Sequence, residues 1–173
     1  MSATTELAAV RAAIGEVEDP EVPVTLVDLG VVRSVEADGE QISVVLRPTR
    51  LGCPARDEMA RRVREAAASA APGVPLDVRW EASSWHTGDV TPRGSKVLVQ
   101  IGYAAPGAGS VSCPFCDSAD VRSAGPFGGS VCKVPFSCRT CGSTFDALKS
   151  GGTVPGLAPR NRAEAEDRVE GGQ

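Results

Sequence analysis

Aromatic residues are scarce in this chain, at 4% of its 173 positions. A core must therefore be assembled from Ala, Val, Leu and Ile, with few large anchors. A single histidine, His86, excludes any multi-histidine metal site and makes a hydrolytic triad depend on that one residue. No run approaches the ~18 consecutive apolar residues of a membrane span. The start, Met1-Ser2-Ala3-Thr4-Thr5-Glu6, has neither the basic opening nor the apolar stretch of a secretory signal. The net charge is −4, and no segment carries the basic excess of a nucleic-acid-binding domain. These absences lead us to expect a cytoplasmic chain without a membrane partner.

What is present is an ordinary globular composition, 42% hydrophobic and 23% charged. The length suits one domain, or one domain and a small module. In a reducing compartment the six cysteines point to metal ligands or reactive thiols rather than disulfides.

Composition divides the chain into residues 1–104, a Gly/Pro/Ala linker at 105–110, a cysteine-rich module at 111–150, and a tail at 151–173. The tail has little to bury and is expected to be mobile. In the first part, Leu7, Val10, Ile14 and Val17 recur at helical spacing behind the candidate caps Thr4 and Thr5. Pro20 and Pro23 stop that helix. Val31–Val35 and Ile42–Leu46 read as two strands joined by a turn over Ala37–Glu40. A loop, Arg47–Pro54, leads to a helix from about Ala55 to Ala71, whose apolar side carries Met59, Val63, Ala66, Ala67 and Ala70. Leu76, Val78 and Trp80 alternate as in a half-buried strand. Thr91-Pro92 opens a last helix bearing Val97, Leu98 and Ile101. The order α-β-β-α-β-α predicts a small two-layer α+β domain with helices on one face of its sheet.

The module contains Cys113-Pro114-Phe115-Cys116 and Cys138-Arg139-Thr140-Cys141, with 21 residues between the pairs. Two thiolates separated by two residues can grip one ion from a tight turn, and two such turns complete a tetrahedron with Zn–S near ~2.3 Å. About 40 residues are too few for an independent core, so a metal must stabilise the module. The spacing predicts a four-cysteine ribbon with structural Zn(2+); an iron site of the same ligands remains an alternative. Gly142, directly after the second pair, suits a tight turn, whereas Asp117 at the matching place suggests a slightly different one. The left-over Cys132, beside Lys133, reads either as a small buried hydrophobe or as an auxiliary thiol of depressed pKa.

Cys53 stands in Thr49-Arg50-Leu51-Gly52-Cys53-Pro54 at the expected start of the long helix. Helix amides, together with Arg47, Arg50 and Arg56, would stabilise its thiolate, making it a nucleophile or a soft-metal ligand. His86, after Trp85, could approach it if the loop folds over.

Several motifs together resemble a known family. Asp19-Pro20-Glu21-Val22-Pro23, Val27-Asp28-Leu29-Gly30-Val31 and Gly52-Cys53-Pro54-Ala55 look like the small domain of SufT-like iron–sulfur assembly proteins. The ribbon pairs, with Gly125-Pro126-Phe127-Gly128, Cys132-Lys133 and Gly142 to Phe145, are similar to one branch, the PaaD-like components of phenylacetyl-CoA (ring 1,2-) epoxidase systems. Trp85 followed by Thr91-Pro92-Arg93-Gly94 fits it too. The loop commonly runs Trp-Thr-Thr-Asp in that family and reads Trp85-His86-Thr87-Gly88-Asp89 here.

The resemblance implies an accessory role in maturing the metal centres of a multicomponent oxygenase, not an enzyme of ring oxidation. Its partners would be oxygenase or reductase subunits and the iron–sulfur assembly machinery. Cys53 would handle iron or a transient Fe-S cluster, Asp19 and Asp28 would shape the surface around it, and Cys113, Cys116, Cys138 and Cys141 would hold zinc. Two other classes compete. One is a ribbon that docks a protein or nucleic acid, against which stands a nearly neutral module with only Arg122, Lys133, Arg139 and Lys149 as cations. The other is a thiol enzyme using Cys53 with His86 as base.

Overall fold

The computed structural model describes residues 3–107, 109–125 and 128–149. The tail at 151–173, and Pro126 and Phe127 of the ribbon motif, lie outside the described residues. The elements are α1 (Ala3–Gly15), β1 (Val32–Asp38), β2 (Gln41–Leu46), α2 (Arg56–Ala70), β3 (Leu76–Trp80) and α3 (Pro92–Gln100), followed by β4 (Val121–Ser123), β5 (Lys133–Cys138) and β6 (Thr144–Leu148). The α-β-β-α-β-α order read from periodicity is therefore the observed one.

β1 and β2 form an antiparallel hairpin, and β3 joins β2 in parallel, giving the order β1-β2-β3. Ile42, Val44 and Leu46 share one face of β2, since alternate residues point the same way, and all three are fully buried. They join Val10 and Ile14 of α1 and Met59, Val63 and Ala67 of α2 in one core cluster. Each of these Val, Leu, Ile and Met side chains contributes about 1.5–3 kcal/mol on burial.

Thr4 and Thr5 lie inside α1 and are not its caps, because the helix already begins at Ala3. Thr91 is the N-cap of α3, its hydroxyl accepting from the Gly94 amide at 3.1 Å, with Pro92 in the first turn. Of the apolar residues assigned to α3, Leu98 is buried, whereas Ile101 is its exposed C-cap.

The loop at 25–31 is clasped to the segment at 85–94. Asp28 accepts from Thr91 Oγ1 at 2.6 Å, from Thr25 Oγ1 at 3.0 Å, and from Arg93 Nε at 2.7 Å. The buried Trp85 donates through Nε1 to the Leu29 carbonyl at 2.7 Å. Gly30, at φ 69°, lies against Asp89 so closely that any Cβ there would collide with the Asp89 backbone. Arg47 is buried; it pairs with Asp89 at 2.9 Å and donates to the Ser84 carbonyl at 3.3 Å. Two of the sequence motifs, Val27–Val31 and Trp85–Gly94, are thus each other's structural partners.

Burial opposes the Asp28 charge, but Arg93, Thr91 and Thr25 overcome it and hold the carboxyl below its ordinary value of 3.8. A depressed carboxyl contributes stability that is complete above the unfolded value and is lost as pH falls through the folded one. We expect Asp28→Asn to cost about 1–3 kcal/mol at neutral pH. Its deficit relative to wild type should shrink below about pH 4, as read by thermal melts across pH. A deficit independent of pH would exclude this charge as the cause.

The ribbon is the antiparallel sheet β4-β5-β6, with Phe136 and Phe145 stacked at 5.8 Å. Its own core is small, built around Val134, Phe136, Phe145 and Ala147. It sits directly on the first sheet's domain. Ala104, just past α3, donates its amide to the Asp146 carbonyl at 2.9 Å, Tyr103 bridges to Asp146, and Leu148 enters the larger core.

Candidate functional site

Two clusters of sulfur emerge. In the ribbon, the sulfurs of Cys113, Cys116, Cys138 and Cys141 all lie within 4.8 Å of one another, and among the described residues no other group of three or more Cys, His, Asp or Glu donors is gathered so closely. Cys113 and Cys141 are 3.7 Å apart, and Cys116 and Cys138 are 3.6 Å apart. A tetrahedron with ~2.3 Å metal–sulfur bonds has edges of about 3.8 Å, so the donor set fits zinc.

Each pair ends in a left-handed residue, Asp117 at φ 56° and Gly142 at φ 77°. Asp117 therefore makes the same turn as Gly142, not a different one, because Asp tolerates this conformation better than most side chains. The Asp117 amide donates to the Cys113 carbonyl, and the Gly142 amide to that of Cys138. Hydrogen bonds from Ser143 pull the Cys141 thiol down to about 6, which favours the thiolate a metal needs.

The second cluster lies where the ribbon meets the α+β domain. A small cavity is lined by Asp19, Glu21, Thr49, Cys53, Trp85, Cys132, Lys133 and Leu148, among others. Cys53 is half-buried within it. α2 begins at Arg56, with Ala55 as its N-cap and no side-chain cap, so Pro54 and Cys53 precede the helix. Burial pushes the Cys53 thiol above its ordinary range and Asp19 and Glu21 add to the rise, against the Ala55 amide and Arg56. The expected depression is thus reversed. Arg47 is occupied by Asp89, and Arg56 lies over the Trp80 ring at 4.9 Å.

Asp19 lines this cavity, and its carboxylate accepts from the Glu21 and Val22 amides at 2.8 and 3.1 Å. Burial raises its pKa. Asp28 does not line the cavity; its carboxylate is engaged by Thr25, Thr91 and Arg93. His86 is exposed and outside the cavity, its backbone amide held by Asp89 at 2.7 Å.

Cys132 does line the cavity. Its sulfur lies 3.0 Å from Ser130 Oγ and 3.8 Å from Glu21 Oε2. Burial raises its pKa too, so the depressed-thiol reading of Cys132 fails in direction. Lys133 reaches Glu21 at 3.8 Å and lies over the Tyr103 ring at 5.5 Å. Sequence reasoning has no means of grouping Glu21, Cys132 and Lys133 with Cys53. The one available signal is that Glu21 and Cys132-Lys133 each fall in a family-like motif.

Beside this cavity, sharing Thr49 and Trp85 as walls, runs an open cleft of about 460 Å³. Leu51 and Val131 on its lining are exposed. No helix among the described residues is long and apolar enough to cross a membrane.

Residues 7–75 match the family model of iron–sulfur cluster assembly proteins, and residues 103–149 match that of the PaaD zinc beta ribbon domain. A protein of Escherichia coli (strain K12), named for the D component of 1,2-phenylacetyl-CoA epoxidase, is 32% identical over 148 residues, covering 80% of this chain and 89% of its own length. The crystal structure of a domain of unknown function, DUF59, from Bacillus anthracis is similar with a TM-score of 0.50 at 24% identity. That match covers 57% of this chain and 94% of the other, and it supports the fold alone.

Proposed function

Given that the chain belongs to the PaaD family of 1,2-phenylacetyl-CoA epoxidase components, we propose that it is an accessory factor that matures the metal centres of a multicomponent oxygenase of phenylacetate catabolism. In this reading Cys53 is the thiol that handles iron or a nascent cluster, and Asp19 lies beside it. Asp28 acts at one remove, fixing the loop whose Leu29 lines the cavity. The chain supplies no ring-oxidising chemistry of its own. Its partners are the oxygenase or reductase subunits and the iron–sulfur assembly machinery, in the cytoplasm.

The observation that carries this reading is the half-buried Cys53 opening into a cavity with two carboxylates and a second thiol. Carboxylates and thiols in one pocket suit a transition-metal cargo better than they suit covalent catalysis, which would need a base near neutral pH. The ribbon quartet is the scaffold: zinc there would cross-link the two cysteine turns, and with four thiolates it has no open position for chemistry. The adjacent cleft is large enough for a client segment.

The test is to produce the oxygenase components with wild-type or Cys53→Ser protein, then measure phenylacetyl-CoA turnover and client iron. We expect Cys53→Ser to lower both at least tenfold while the ribbon keeps its zinc. Full turnover and iron content with Cys53→Ser would overturn the reading and leave a docking module.

A further inference from the structure

We propose that Cys53, Cys132 and the Glu21 carboxylate form a binding site for a single divalent transition-metal ion, and that this site is complete only when the ribbon is folded against the α+β domain. The inference rests on the reading of Cys53 as a metal-handling thiol and adds to it the number of ions, the other ligands and the role of the ribbon.

Three observations converge. First, the donors come from separate parts of the chain: Glu21 from the loop after α1, Cys53 from the loop before α2, and Cys132 from the ribbon, one residue before β5. All three line one cavity, and Cys132 Sγ already lies 3.8 Å from Glu21 Oε2. A charge on Cys53 would disfavour one on Cys132, and the three donors, not yet as close as the ribbon quartet, would draw together around the ion. Two thiols and a carboxylate form a mixed sulfur–oxygen set suited to iron(II), cobalt(II) or zinc rather than magnesium or calcium.

Second, the cavity holds about 20 Å³. That is room for one water-sized object, so it fits one ion and is too small for a preformed cluster. With three protein donors, a fourth position is left for water, unlike the closed quartet. An open position is what release to a partner needs. On binding, each thiol proton passes to solvent as its metal–sulfur bond forms, and no electrons are transferred.

Third, the surrounding charges are matched to a cation. Cys53 and Cys132 thiolates with Asp19 and Glu21 would place four negative charges together. Lys133, held between Glu21 and the Tyr103 ring, offsets one of them, and a divalent ion offsets two more. Thr49 completes the polar lining. Cys132 itself is placed by the ribbon: its carbonyl accepts from the Lys149 amide at 2.9 Å, directly after β6.

The experiment is anaerobic titration of full-length, zinc-loaded protein with cobalt(II), read by sulfur-to-cobalt charge-transfer absorption, with zinc measured in the same samples. We expect one cobalt bound per chain with the ribbon zinc retained. Cys53→Ser, Cys132→Ser and Glu21→Gln should each weaken cobalt binding, the cysteine variants by about 100-fold or more, since even second-shell changes cost 10–100-fold. Their circular dichroism and zinc content should match wild type.

Three results would overturn the proposal: no cobalt uptake, uptake only by displacing the ribbon zinc, or Cys132→Ser binding cobalt as tightly as wild type. The last, with Cys53→Ser still defective in client maturation, would remove the shared site and leave the proposed function standing. Cobalt binding as expected, with Cys53→Ser fully active in maturation, would do the reverse.

Discussion

Cys138→Ser is expected to unfold the ribbon outright while α1, α2 and the first sheet persist. The ribbon's own core amounts to a few side chains around the Phe136–Phe145 stack. A segment of that size does not hold itself together. Four-thiolate zinc contributes on the order of 10 kcal/mol to the folding of such modules, and Cys138 is one of the four donors. Its amide is also bonded to the Ser143 carbonyl inside the second turn. Hydrogen exchange measures the outcome: amides of β5 and β6 should exchange as in an unfolded chain, bound zinc should vanish, and a chelator should reproduce both effects on wild type. Amides of β5 and β6 that remain protected without metal would show that docking onto Tyr103, Ala104 and the Leu148 pocket suffices by itself.

Trp85→Ala carries the second-largest expected effect, a loss of about 3–5 kcal/mol. The ring is buried, and in a chain this poor in aromatics nothing nearby can replace its volume. Its Nε1 also satisfies the Leu29 carbonyl, which the substitution would leave unpaired. Trp85→Phe separates the two contributions: it keeps most of the volume and should cost only about 1–3 kcal/mol for the orphaned acceptor. Urea unfolding at saturating zinc measures both. Equal losses for Phe and Ala would mean that the hydrogen bond, not the packing, dominates. Trp85 walls both the thiol cavity and the neighbouring cleft, so the alanine variant should also loosen the surface on which Cys53 sits.

Local chemistry is legible in the sequence. Thr91-Pro92 announces α3 because a cap and a first-turn proline act within one turn of chain. The hairpin and both cysteine turns are readable for the same reason. The failures share a different cause. Glu21 and Cys132 are 111 residues apart in sequence, and no periodicity reports such a contact. The acidity of Cys53 is misjudged when its position before a helix is weighed without burial, and burial together with Asp19 and Glu21 is what decides it. Asp28 looks like a surface carboxylate by its motif; its partners Thr91 and Arg93 lie on α3 and its cap, beyond all three strands of the first sheet. Asp117 invites comparison with what glycine usually does there, although aspartate can adopt the same backbone.

The backbone clasp between Ala104 and Asp146 settles where the ribbon's positional information resides. The chain is fastened at Ala104 and again by β6, and these contacts orient the ribbon. Doubling a flexible loop costs only ~0.6 kcal/mol in closure entropy, so a longer connection after Ala104 would change stability little. A ribbon grafted from another protein through a matching tether would fold around its zinc and still face the wrong way. To present a sulfur at Cys53 it would have to bring the β6 register, Leu148 and the Lys133 contact with it.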